Sequence, residues 1–163
     1  MKKIAAFIVL AFVLTACGGG GSESADTTSP EQSLKIVSLS PTATEMLYAI
    51  GAGDQVVAVD SLSTFPAEVA PKVTKISAYE PSAEAILAYE PDVVLISNDM
   101  NKITEQLTGA NPEIEVWTGA AAASLDDVYK QINELGELTG HTSEAEELVA
   151  SMKARIDAAV PDE

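Results

Sequence analysis

The chain holds one cysteine, one histidine and only nine lysines and arginines among 163 residues. Each shortage removes a class of function. The one cysteine, Cys17, has no partner, so no disulfide is expected even in an exported protein. The one histidine, His141, falls in a predicted turn between two helices. It cannot assemble the His and Cys sets that zinc and related metals take, so no metal is expected. Nine basic residues against 25 acidic ones give a net charge of −16. A chain this acidic lacks the basic surface that phosphate backbones require, which excludes nucleic acid as a partner. There is no Gly-x-Ser-x-Gly elbow and no Cys–His pair in the mature domain, so no catalytic residue and no cofactor are expected. Asp60, Asp92 and Asp99 stand near strand ends, where loop acids in so acidic a chain are expected to be solvated.

The apolar run over residues 4–14 is eleven residues long. A spanning helix needs about 20, so this run is too short to cross a bilayer. Lys2 and Lys3 before it, and Thr15 and Ala16 after it, make residues 1–16 a secretory signal peptide. Leu14-Thr15-Ala16-Cys17 looks like a bacterial lipobox, in which Cys17 carries the lipid. Two acyl chains anchor durably where one binds only marginally. Residues 18–33 are Gly, Ser, Thr, Asp, Glu, Pro and Gln with almost nothing apolar, so residues 17–33 read as a flexible, lipid-anchored linker. The four glycines over 18–21 follow no strand and open no helix, so they are not a phosphate loop. Without Lys2 and Lys3 the net charge falls to −18.

Beyond the linker, apolar β-branched runs at 35–39, 55–59, 93–96 and 114–117 read as strands, and 73–76 suggests a further short one. Helical patterns at 42–50, 82–89 and 101–110 lie between them. Thr42 with Glu45 forms a predicted capping box, and Gly51 and Gly53 suit a helix end. This alternation predicts an α/β, Rossmann-like lobe over 34–123, a parallel sheet flanked by helices. Over 124–163 the pattern turns helical. Ser124 and Asp127 form one predicted capping box, and Gly140 ends that helix. Ser143 and Glu146 form another, opening a helix over 143–159 of about 25 Å.

Residues 35–53 (KIVSLSPTATEMLYAIGAG), 57–61 (VAVDS), 81–95 (PSAEAILAYEPDVVL) and 124–129 (SLDDVY) resemble, in order, the iron-siderophore and vitamin B12 substrate-binding proteins of ABC importers. The resemblance implies two α/β lobes joined by one long helix, with ligand held in the cleft between them. The sequence matches the first lobe plus that connecting helix. The second lobe is expected to be absent, as in a fragment of a longer receptor. The resemblance further implies a lipoprotein on the outer face of the cytoplasmic membrane, acting as a monomer. It would capture an iron-siderophore-type chelate and deliver it to an ABC permease and its ATPase subunits. Cobalamin and haem are the alternative ligands. A reading of another class is a single-lobe surface lipoprotein acting as a protein-interaction module.

In open α/β sheets, ligands sit beyond the carboxyl ends of the strands. That rule nominates Ser40 and Pro41, Ser61 and Leu62, Ala78 and Tyr79, Asn98 and Met100, and Trp117 and Thr118. Tyr79 and Trp117 offer flat apolar rings to a large chelate or macrocycle. Trp117 serves equally well as a core residue of the lobe. Leu62 stands near where vitamin B12 binders carry an aromatic contact, a departure from the corrinoid pattern. Glu84 falls where the family carries the glutamate that pairs with permease arginines. An acid at a helix N-terminus is also favoured by the dipole alone.

Overall fold

A computed structural model describes residues 33–160. The expected signal peptide, Cys17 and all but the last residue of the expected linker lie outside the described residues. Four strands form one parallel sheet: β1 (Ile36–Leu39), β2 (Val56–Val59), β3 (Val93–Ile96) and β4 (Glu115–Thr118), in the order β2-β1-β3-β4. β1 and β3 are central, and all four residues of each are buried. That is why they read as unbroken apolar runs: a strand covered on both faces has no solvent side to mark. The edge strand β4 is exposed at both ends and half-buried between.

Among the described residues five α-helices cover the sheet: α1 (Pro41–Ala49), α2 (Ala83–Leu87), α3 (Ile103–Ala110), α4 (Leu125–Thr139) and α5 (Thr142–Ala159). Period-two alternation along the strands sorts them into two layers. Ile36, Val93 and Leu95 pack with Leu47 of α1, Ile132 and Leu135 of α4, and Ala145 and Val149 of α5. Val37, Leu39, Val94 and Ile96 pack on the other face with Ile86 of α2 and Ile103 and Leu107 of α3. α4 and α5 thus pack on each other and share the core of one face with α1. Among the described residues no helix is long and apolar enough to cross a membrane.

Several boundaries differ from the sequence reading. The N-cap of α1 is Ser40, not Thr42: Ser40 Oγ accepts from Ala43 N at 3.3 Å. Pro41 occupies the first helical position, where its fixed φ and missing N–H cost nothing, and this draws the start two residues upstream. Glu45 is therefore exposed and caps nothing. The Ser143–Glu146 box is also absent. α4 closes in a Schellman turn, with His141 N donating to Gly136 O (2.8 Å) and Gly140 N to Glu137 O (3.4 Å). Gly140 takes the left-handed conformation that turn needs, at φ 76°. Only Gly140 and His141 then separate the helices, so α5 starts at Thr142 without a side-chain cap. The suggested strand at 73–76 reduces to one bridge, Val59 to Val73, because Thr74 Oγ1 turns back to donate to Val59 O. α3 opens at Ile103 rather than 101, since Asn101 and Lys102 have positive φ.

The Ser124–Asp127 box is present as the sequence predicts. The Asp127 carboxylate accepts from Ser124 Oγ (2.9 Å) and from the backbone N–H groups of Ser124 (3.0 Å) and Ala123 (3.1 Å). These bonds, the Ser124 hydroxyl first, hold its pKa below the usual carboxylate range. A depressed folded-state pKa contributes stability above the unfolded value that is lost as pH falls through the folded one. The N-terminus of α4 is thus expected to loosen below about pH 4. In acid titrations followed by amide exchange of 124–130, Asp127→Asn should weaken protection at neutral pH and flatten its decline in acid. An unaltered acid profile in the variant would assign the decline to other groups.

Candidate functional site

In a sheet ordered β2-β1-β3-β4 the strand order reverses between β1 and β3. The loops leaving these two strands run to opposite sides, which opens a crevice at their carboxyl ends. Below the crevice the ends of β1 and β2 carry buried hydroxyl groups rather than hydrocarbon. Ser38, Ser40, Thr44 and Ser63 are each at most 1% exposed. Thr44 Oγ1 lies 2.9 Å from Ser38 Oγ and 3.2 Å from Ser63 Oγ, and Ser97 Oγ donates to Ser40 Oγ at 2.9 Å. These bonds tie the β1, β2 and β3 loops together, so the floor of the crevice is preorganised.

A cavity of about 110 Å³ opens above that floor. Leu39, Ile96 and Ile103 form its apolar base, with Asp60 and Ser97 as polar groups in its wall. Leu62 (51% exposed), Tyr79 (67%) and Met100 (37%) rim it. Small-molecule sites typically span ~300–1,000 Å³. This cavity is therefore too small to enclose a macrocycle.

The structure brings together Pro41, Leu62, Ala78, Tyr79, Asn98 and Met100 from among the nominated residues. Ser40 is buried as the cap of α1 and does not line the cavity, though its hydroxyl accepts from Ser97, which does. Ser61 is exposed outside the cavity, its N–H given to Ile76 O. Trp117 and Thr118 do not line it. Trp117 pairs in register with Leu95, so its side chain shares the face of α1, α4 and α5. There it is half-buried against the core, and its Nε1 donates to Glu134 Oε2 of α4 at 3.3 Å. The cavity lies over the opposite face, with Leu39 and Ile96. Of the two readings of Trp117, the packing agrees with the core role.

Asp60 corrects another expectation. It is 0% exposed rather than solvated. Its Oδ1 accepts from Ser63 N at 2.9 Å, while Oδ2 is buried with no hydrogen-bond partner among the described residues. It follows β2 directly, so the strand-end rule nominates it as readily as it does Ser61; its burial had no sequence signal. Asp99 accepts from Thr104 N at 2.9 Å and so helps open α3. Among the described residues no three His, Cys, Asp or Glu side chains are grouped to hold a metal ion. Glu84 is exposed at the second position of α2, away from the cavity, and none of the ion pairs among the described residues involves it.

Residues 36–162 match the family described as "Periplasmic binding protein". The chain is 38% identical over 135 residues to YvrC, an uncharacterized ABC transporter substrate-binding lipoprotein of Bacillus subtilis, covering 80% of this chain and 42% of that one. It is 34% identical over 125 residues to the vitamin B12-binding protein of Pectobacterium atrosepticum, covering 75% of this chain and 43% of the relative. Among solved structures it is similar to the periplasmic haem-binding protein RhuT of Roseiflexus, with a TM-score of 0.67 and 32% identity. That match covers 78% of this chain and 49% of RhuT. The chain thus spans less than half the length of each of these relatives. The profile match, the parallel sheet and the crevice at its switch point agree: the chain belongs to the periplasmic binding protein family.

Proposed function

We propose that the chain is the first lobe of a solute receptor for an ABC importer. It captures an iron-siderophore-type chelate, with haem or a corrinoid as the other ligand classes. The observation that carries this reading is the rimmed cavity at the carboxyl ends of β1, β2 and β3. Leu62, Tyr79 and Met100 leave apolar surface exposed there, as a wall for a large flat ligand would. YvrC, the vitamin B12-binding relative and RhuT support the same class by their names. The protein does no chemistry in this role. Lipid at Cys17 holds it to the outer face of the cytoplasmic membrane, and Glu84 docks it on the permease, whose ATPase subunits drive transport.

One wall of a cleft removes only part of a ligand's surface from water, so affinity for this chain should be modest. Equilibrium dialysis of the purified chain against ferric desferrioxamine, haemin and cyanocobalamin is the test. One class should be retained with a dissociation constant of roughly 10 µM to 1 mM, at least ~10-fold tighter than the others. Retention of none of the three at millimolar concentration would sink the receptor reading.

A further inference from the structure

The geometry points to Asp60 as a specificity-determining residue. Its free Oδ2 accepts a hydrogen bond from an N–H donor, a primary amide or an ammonium group, carried on an apolar-edged ligand. The inference deepens the receptor reading and rests on it for the role of the cavity. Three observations carry it. Asp60 is fully buried, yet Oδ2 has no partner among the described residues. Buried acceptors are nearly always satisfied, so an orphan in a cavity wall marks a place where a donor arrives from outside. Oδ1 is committed to Ser63 N, which fixes the side chain and leaves only Oδ2 to offer.

The third observation is the company Asp60 keeps. Leu39, Ile96, Ile103, Leu62, Tyr79 and Met100 line the same cavity, and no lysine, arginine or histidine lines it. Against this wall a carboxylate on the ligand would meet a second carboxylate with nothing to neutralise either. An amide or ammonium group would meet an acceptor in surroundings of low dielectric, where hydrogen bonds to charged groups are strongest. The lobe therefore favours a ligand edge bearing side amides or an amine over one bearing propionates.

Fragments small enough for the cavity test this on the chain itself. Benzamide, benzylammonium and benzoate share one ring and differ only in the polar group. Titrations followed by amide shifts of residues 60–63 and 97–98, in about 0.5 M salt to screen the overall charge, compare them. Benzamide and benzylammonium should bind at least ~10-fold tighter than benzoate, the ratio expected of one hydrogen bond to a charged group. Asp60→Asn keeps an acceptor for Ser63 N and places an NH₂ group at Oδ2, so the preference should vanish or reverse. Equal binding of benzamide and benzoate, shifts centred elsewhere, or no response to any fragment overturns the inference without needing the variant. A preference that survives Asp60→Asn overturns it as well. Haemin, cyanocobalamin and ferric desferrioxamine decide the receptor reading separately, since retention of any one upholds it whatever the fragments show.

Discussion

Leucine in place of Gly136 is expected to cost the domain about 3 kcal/mol and to lower its melting temperature by ~10 °C. Gly136 is buried where α4 meets α5. A Cβ there would stand 2.5 Å from Ala145 Cβ, 3.1 Å from His141 O and 3.4 Å from Thr142 Cα. Two of those atoms are backbone and the third is a Cβ, so no flexible side chain can move aside. The two-residue link at Gly140 and His141 leaves α5 no slack to retreat. The added bulk must instead lift α5, and with it Ala145 and Val149, from the core they share with Ile132 and Leu135. Gly109 supplies the control. It lies exposed in α3 with nothing within 4 Å of a Cβ. Gly109→Ala should therefore stabilise by ~0.5–1 kcal/mol through helix propensity and the unfolded chain. Denaturant unfolding of both variants is the measurement. A Gly136→Leu protein within ~0.5 kcal/mol of the parent would mean that α5 packs more loosely than its geometry shows.

The same helix pair marks how far the sequence could be read. Ser124, Asp127 and Gly140 announce α4 because each acts through its immediate neighbours, and local rules suffice. Thr42 satisfies the same rule with Glu45, yet Ser40 is the cap. Ser40 stands two residues upstream of Thr42, and Pro41 between them, at the first helical position, sets the start of α1. The strands at 36–39 and 93–96 were legible from β-branched runs, and their burial on both faces explains the lack of alternation. The candidate site was legible to the level of strand ends and no further. Being near a strand end does not say which face a side chain takes. Trp117 joins α4 because of its register with Leu95, which depends on how β3 and β4 pair. Asp60 looked like one more solvated acid in a chain with 25 of them. Its burial comes with Ser63 turning back onto it within the loop after β2, and with residues of the separate loops after β2 and β3, Leu62 and Met100, lining the same cavity. Leu62, Tyr79 and Met100, which the strand-end rule nominates, line one cavity because the rule concerns loops, and all three belong to loops that leave the same end of the sheet.

Reversing the charge at Glu84 should abolish uptake while leaving ligand capture unchanged. Ser82 caps α2 by accepting from Ala85 N at 3.3 Å, and Ile86 pins the helix to the core at 0% exposure. Glu84 is therefore presented from a fixed platform, exposed and without an ion pair among the described residues. A permease arginine could take its carboxylate bidentately, a geometry that sets register as well as affinity. Arginine at this position would oppose that arginine with like charge. Such juxtaposition costs several kcal/mol, which corresponds to a loss of docking of at least ~100-fold. The dipole contribution of one acid at the start of α2 is worth at most ~1 kcal/mol, so folding should survive. Because Glu84 lies away from the cavity, the dissociation constant for ligand should stay within ~2-fold. Uptake of labelled ligand by cells carrying Glu84→Arg should fall at least ~10-fold, with Glu84→Gln between the two. Full uptake by Glu84→Arg would leave the dipole as the only role of this residue. Impaired uptake together with impaired capture would instead place the fault in the lobe, because a docking contact has no means of altering a cavity it does not touch.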